Sequence, residues 1–165
     1  MKYFFTFFLS FIIGFTAVAQ AQQAPYLQYK TIPSVRLLLT DSTGWELKAK
    51  LDKKKPLMLV IFSPECDHCR HETEELKKNI EKFKNVQIVM AAMQPVHKIK
   101  EFVAEYGLDK YKNITVGRDY AYILPVYYDM KSLPFHAFYT RDRKLISGFE
   151  GTMSVAKMLA QLKSK

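Results

Sequence analysis

The 165-residue chain is long enough for one compact domain and too short for a multidomain machine. Its 48% hydrophobic and 14% aromatic residues suffice for a packed core and exclude wholesale disorder; 25% charged residues exclude an integral membrane bundle, and two cysteines exclude a disulfide-knit scaffold. The formal charge of +9 is carried by lysines scattered over helical surface positions without a stripe of interleaved aromatics, so no nucleic-acid partner is expected.

Residues 1–21 read as an export signal. Lys2 gives a positive start, and Tyr3 to Val18 is apolar apart from Thr6, Ser10, Gly14 and Thr16. Either Ala17-Val18-Ala19 or Ala19-Gln20-Ala21 then fits a small-residue cleavage site. The alternative is an uncleaved membrane anchor, although the stretch is short for a span, and no cysteine follows it to carry a lipid. A membrane association is expected only if this segment is retained. Export, periplasmic or otherwise, would place the mature chain where disulfides persist. Residues 22–34 read as a flexible approach and 35–165 as the folded domain.

Val35 to Leu39 reads as a strand closed by the turn cluster Asp41-Ser42-Thr43-Gly44. Trp45 to Leu51 fits either strand or helix, and Lys53-Lys54-Lys55-Pro56 is a charged breaker. Leu57 to Phe62 is apolar without alternation, the pattern of a strand covered on both faces. A helix follows: Cys69, Thr73, Leu76, Ile80 and Phe83 recur at helical spacing, while Glu72, Glu74, Lys77, Lys78, Glu81 and Lys82 are assigned to the outer face. Val86 to Met93 is a second buried strand. Pro95 opens another helix with Val96, Ile99, Phe102, Val103 and Tyr106 inward, stopped by Gly107. A short strand and a short helix are expected between Asn113 and Met130. Phe135 to Tyr139 and Lys144 to Gly148 form a strand pair, and a last helix turns Val155, Met158, Leu159 and Leu162 inward. This order predicts an α/β domain, a mixed sheet with helices on both faces.

Both cysteines lie in Cys66-Asp67-His68-Cys69, directly after the buried strand and at the start of the helix. The unpaired N–H groups and dipole of a helix start favour an anion, His68 can add positive charge, and Cys69 can donate its S–H to Cys66. Such settings favour thiolate over thiol. They predict Cys66 as a nucleophile and Cys69 as the thiol that resolves its mixed disulfide, hence thiol–disulfide exchange with protein substrates and an upstream redox partner. No cofactor is expected, and a monomer is.

Three other readings of the motif compete. A structural Cys66–Cys69 link closes too small a loop to stabilise much. A metal-binding or carrier protein would use Cys66, His68, Cys69 and His71, with copper(I) favoured over zinc, but four ligands on one short segment close a tetrahedron poorly. The third is an interaction module with an idle dithiol. His71 alone reads as an exposed helix residue, and His97 and His136 as structural.

With these residues in view, the chain resembles the thioredoxin superfamily, and within it the exported TlpA/ResA-like thiol–disulfide oxidoreductases. The matching segments are Leu57 to Cys69, Ser132-Leu133-Pro134-Phe135-His136-Ala137-Phe138-Tyr139, and Asp142-Arg143-Lys144-Leu145-Ile146 with Gly148 and Gly151. The resemblance implies a thioredoxin-like fold and a cis proline at Pro134 facing the dithiol, with the Leu133 backbone available to bind a substrate strand. It also implies reduction of partners as the favoured direction of exchange, while the histidine at His68, placed as in strongly oxidising relatives, leaves oxidation of partners as the alternative. There are departures. Phe62-Ser63-Pro64-Glu65 replaces the family's usual Trp-Ala pair, and Glu65 opposes a thiolate at Cys66 by like-charge repulsion. Val60 stands where thioredoxin carries a buried acid, so proton transfer falls to solvent, Glu65 or another group. Ser63, three residues before Cys66, is similar to peroxiredoxins, whose motif is otherwise absent.

Overall fold

The computed structural model describes residues 23–163; the expected export signal at 1–21 lies outside them. In chain order the elements are α1 (Pro25–Tyr29), β1 (Arg36–Leu39), β2 (Gly44–Glu46), α2 (Leu47–Lys50), β3 (Leu57–Phe62), α3 (Asp67–Lys78), β4 (Gln87–Ala92), α4 (Val96–Tyr106), β5 (Ile114–Arg118), α5 (Ile123–Tyr128), β6 (Phe135–Tyr139), β7 (Leu145–Glu150) and α6 (Val155–Lys163). One seven-stranded sheet has the order β2-β1-β5-β4-β3-β6-β7. β3, β4 and β5 run parallel, while β1, β6 and the outermost strands are antiparallel to their neighbours. The parallel trio needs crossovers, which α3 and α4 supply.

Strand alternation divides the apolar run of β3 between two cores. Met58, Val60 and Phe62 join Ile88, Met90 and Ala92 under α3, α4 and α6. Leu57, Leu59 and Ile61 join Val89, Ala91 and the residues under α1, α2 and α5. All six positions of β3 are buried, as a strand covered on both faces requires. The mixed sheet with helices on both faces expected from the sequence is therefore the observed architecture.

Two local readings are refined. Trp45 to Leu51 is both kinds of element: Gly44–Glu46 pairs with β1, and Leu47–Lys50 is helical. The helix after the dithiol stops at Lys78, and Ile80–Phe83 continues as a separate 3₁₀ turn. Gly107 ends α4 at φ +60, a left-handed cap that lets its N–H reach the carbonyls of Val103 and Ala104. Within the approach segment, Tyr26 of α1 packs edge-on against Phe135 and tilted against Tyr128. Gly148 permits this, because a Cβ there would stand 2.7 Å from the Tyr26 ring.

On that second face the hydroxyls of Tyr128 and Tyr139 share a hydrogen bond of 2.6 Å in the buried core. Burial first, and then the neighbouring phenol, pushes Tyr128 well above its ordinary value of 10, and burial likewise raises Tyr139. An unfolded tyrosine ionises near 10, so the folded state binds more protons above that pH. The stabilisation is complete below pH 10 and is lost as pH rises. Each phenol should cost about 1.4 kcal/mol per pH unit above 10. Urea melts at pH 8 and 11 test this; an equal or higher midpoint at pH 11 contradicts it.

Candidate active site

β3, β4 and β5 end together at Phe62, Ala92 and Arg118, and the loops leaving that edge build the site. The carboxyl edge of a parallel sheet is where α/β folds place their chemistry. Ser63 ties these loops together. Its hydroxyl accepts hydrogen bonds from the Gln94 side-chain amide at 2.8 Å and from the Glu65 N–H at 3.2 Å. Arg70 braces the same turn: it donates to the Pro64 carbonyl at 3.2 Å, pairs with Glu105, and lies over the Tyr106 ring at 5.5 Å.

Cys66 occupies the N-cap of α3, with an extended backbone, and is half-buried. Cys69 is one turn further in and 2% exposed. Both thiols are free, and they lie close enough for Cys66 to act on Cys69. Burial pushes the Cys69 thiol up to about 12, helped by the neighbouring Cys66 side chain and by the negative charge of Glu72; a backbone bond at Ser63 acts in the opposite direction. The pair is thus asymmetric, with an accessible sulfur at a helix start and a protonated one beneath it.

The other residues singled out from the sequence are placed as follows. Glu65 is exposed, and Lys98 stands 3.7 Å from its carboxylate. His68 and His71 are exposed on the first turns of α3, and His97 is exposed on α4. Among the described residues no group of three or more His, Cys, Asp or Glu is placed to hold a metal ion. The Leu133–Pro134 peptide bond is cis. Pro134 and Cys69 line the same small cavity, together with Val60, Glu72, Thr73 and Met158, so the fold brings the two motifs together. Leu133 is half-buried and packs against both cores.

One assignment is corrected. Glu72, placed on the outer face of its helix by its charge, is 5% exposed. It lies three residues after Cys69, on the same inward stripe as Thr73 and Leu76. Its Oε2 accepts the Met153 N–H at 2.7 Å, and its Oε1 lies 2.6 Å from His136 Nε2. His136, which carried no motif, is fully buried as the second residue of β6. The sequence signal was position alone: a carboxyl on an apolar stripe, and a histidine between Phe135 and Ala137 in a strand buried on both faces.

Residues 22–154 match the model of the AhpC/TSA family. No curated protein matches the sequence. Among solved structures, a secreted Mycobacterium tuberculosis disulfide oxidoreductase homologous to Escherichia coli DsbE is 21% identical, with a TM-score of 0.65 over 78% of this chain and 94% of its own. A putative thiol:disulfide interchange protein DsbE from Chlorobium tepidum is 20% identical, with a TM-score of 0.64 over 81% and 96%. StoA from Bacillus subtilis is 12% identical, with a TM-score of 0.60 over 80% and 98%. The chain belongs to the AhpC/TSA family and is built on the thioredoxin-like fold that these structures share.

Proposed function

We propose that the protein is an exported thiol–disulfide oxidoreductase that reduces disulfides of partner proteins through Cys66 and Cys69. The observation that carries this reading is the asymmetric pair itself: a half-buried sulfur at the helix start, beside a buried thiol that shares a cavity with Pro134. In the forward direction the Cys66 thiolate attacks a partner disulfide, forming one S–S bond and expelling one partner thiolate. Cys69 then gives up its proton and attacks Cys66. The Cys66–partner bond breaks, the Cys66–Cys69 bond forms, and the second partner sulfur leaves with the electron pair. The partner gains two electrons and the dithiol loses two. A second, upstream dithiol must reduce the protein again.

The remaining residues have supporting roles in this reading. His68 and Glu65 tune the charge beside Cys66, the latter shared with Lys98. The backbone of Leu133, next to Pro134, aligns the incoming segment beside the dithiol. Glu72 is the acid–base group for Cys69: its charge is felt by that thiol and it lines the same cavity. It fills the role left open by Val60. The names of the structural relatives support disulfide chemistry, and the apolar, small-residue pattern of residues 1–21 supports export. Among the described residues no helix is long and apolar enough to cross a membrane.

The test is turnover. Reduced protein mixed with insulin and a stoichiometric excess of dithiothreitol should accelerate B-chain precipitation over dithiothreitol alone. Unchanged precipitation, together with no internal disulfide after equilibration in glutathione buffers, would defeat the proposal.

A further inference from the structure

His136 is costly for a merely structural residue. It is the second residue of β6, opposite Val60 on β3 and Phe149 on β7, with no exposed surface. Its ring centroid lies 6.3 Å from that of Phe138 and 6.5 Å from that of Phe149. One ring nitrogen, Nε2, meets Glu72 at 2.6 Å, while Nδ1 is buried without a hydrogen-bond partner among the described residues. Buried polar atoms are almost always paired, and an exception calls for an explanation. An apolar side chain would suit this aromatic surround better. What the imidazole adds is a proton site directly bonded to the carboxylate that faces Cys69.

The exchange reaction proposed above supplies the need, and the inference rests on it. A thiol pushed up to about 12 is ionised in only about one molecule in 10⁵ at pH 7, so Cys69 attacks at a useful rate only if a nearby base takes its proton. We propose that Glu72 and His136 act as one acceptor for the Cys69 proton, His136 being the positioning residue whose Nε2–H holds Oε1 of the carboxylate and whose open Nδ1 leaves the pair a site for one more proton. In the resolving step the proton leaves Cys69 for the Glu72–His136 pair. The sulfur it leaves attacks Cys66, and the partner sulfur departs as a thiolate. That thiolate or water then takes the proton, which restores the pair.

Among the described residues no other titratable side chain lines the cavity that Cys69 and Glu72 share. β3 contributes Val60 and Phe62 to the cavity, β4 Met90 and α6 Met158; Cys69 and Glu72 are the titratable residues that line it. β7 contributes Phe149 against the ring, and the segment before α6 contributes only the Met153 N–H. Thr73 is engaged, donating its hydroxyl to the Cys69 carbonyl at 2.8 Å. The Met153 bond on Oε2 and the His136 bond on Oε1 hold the carboxylate from two elements at once, so it keeps its orientation while the proton moves.

The experiment uses reduced protein and dithiobis(nitrobenzoate), which releases one coloured thiolate when Cys66 attacks and a second when Cys69 resolves the mixed disulfide. In His136→Gln, which keeps a donor but cannot hold the proton, the ratio of second-phase to first-phase rate should fall at least about tenfold. Its second phase should also become steep in pH, rising roughly tenfold per unit as hydroxide replaces the lost acceptor. An unchanged ratio and slope overturn the inference. Should the variant lack native circular dichroism, the unsubstituted protein decides by proton NMR: a far-downfield His136 Nε2 proton that moves between the dithiol and disulfide forms is expected, and an ordinary, redox-indifferent one overturns it. Absence of the first phase in the unsubstituted protein sinks instead the exchange reading beneath.

Discussion

Cys66→Ser should bring the reduction of a protein disulfide down to the uncatalysed rate, whereas Cys69→Ser should stall the reaction as a covalent adduct. The two sulfurs differ in access, and burial keeps the Cys69 thiol protonated. Cys66 stands half-exposed at the N-cap of α3, where first-turn N–H groups lack helical partners and favour an anion. A serine hydroxyl there keeps the shape but cannot form the sulfur–sulfur bond. Cys69 is buried and protonated, and in its absence nothing displaces the partner from Cys66. Non-reducing electrophoresis of Cys69→Ser after incubation with a disulfide-bonded substrate should show a band that dithiothreitol dissolves. Multiple turnovers by either variant would contradict the assignment of roles. The stalled adduct also offers the route to the natural partners, recovered as mixed disulfides.

Glu72→Ala should cost about 3–5 kcal/mol of stability, the range found when one partner of a buried pair is removed. The loss has three parts: the His136 Nε2 and the Met153 N–H lose their partner, and a space opens beside Cys69. Glu72→Gln should cost less, about 1–2 kcal/mol, because an amide oxygen still accepts from one of the two donors. Urea denaturation of the reduced proteins measures both. A Glu72→Ala loss below 1 kcal/mol would mean that water satisfies the His136 and Met153 groups. The same two variants should slow the Cys69 step, so this buried carboxyl joins stability to chemistry through one set of hydrogen bonds.

Much of the site was legible because it depends on local pattern. The unbroken apolar run Leu57 to Phe62 can only be a strand between two cores, and the following Cys66-Asp67-His68-Cys69 then has to open a helix. Gly107 marked the end of α4 for a reason confined to its own backbone. Tyr26 was less accessible to such reasoning. Its packing depends on Gly148, 122 positions away (148 minus 26), leaving room for a ring.

By itself the sequence determined the alternation of strands and helices, the position of both thiols at a strand-to-helix junction, and the inward faces of α4 and α6; all of these follow from periodicities of a few residues. Tertiary structure decided which charged group is not on the surface. Glu72 is one of six charged residues first assigned to the outside of its helix, and side-chain type alone could not separate it from Glu74 or Lys78. What separates them is a partner 64 residues on: β6 lies beside β3 and presents His136 to the face that α3 covers. Burying a carboxyl is tolerated only where donors await it, and which donors are waiting is a property of the assembled sheet.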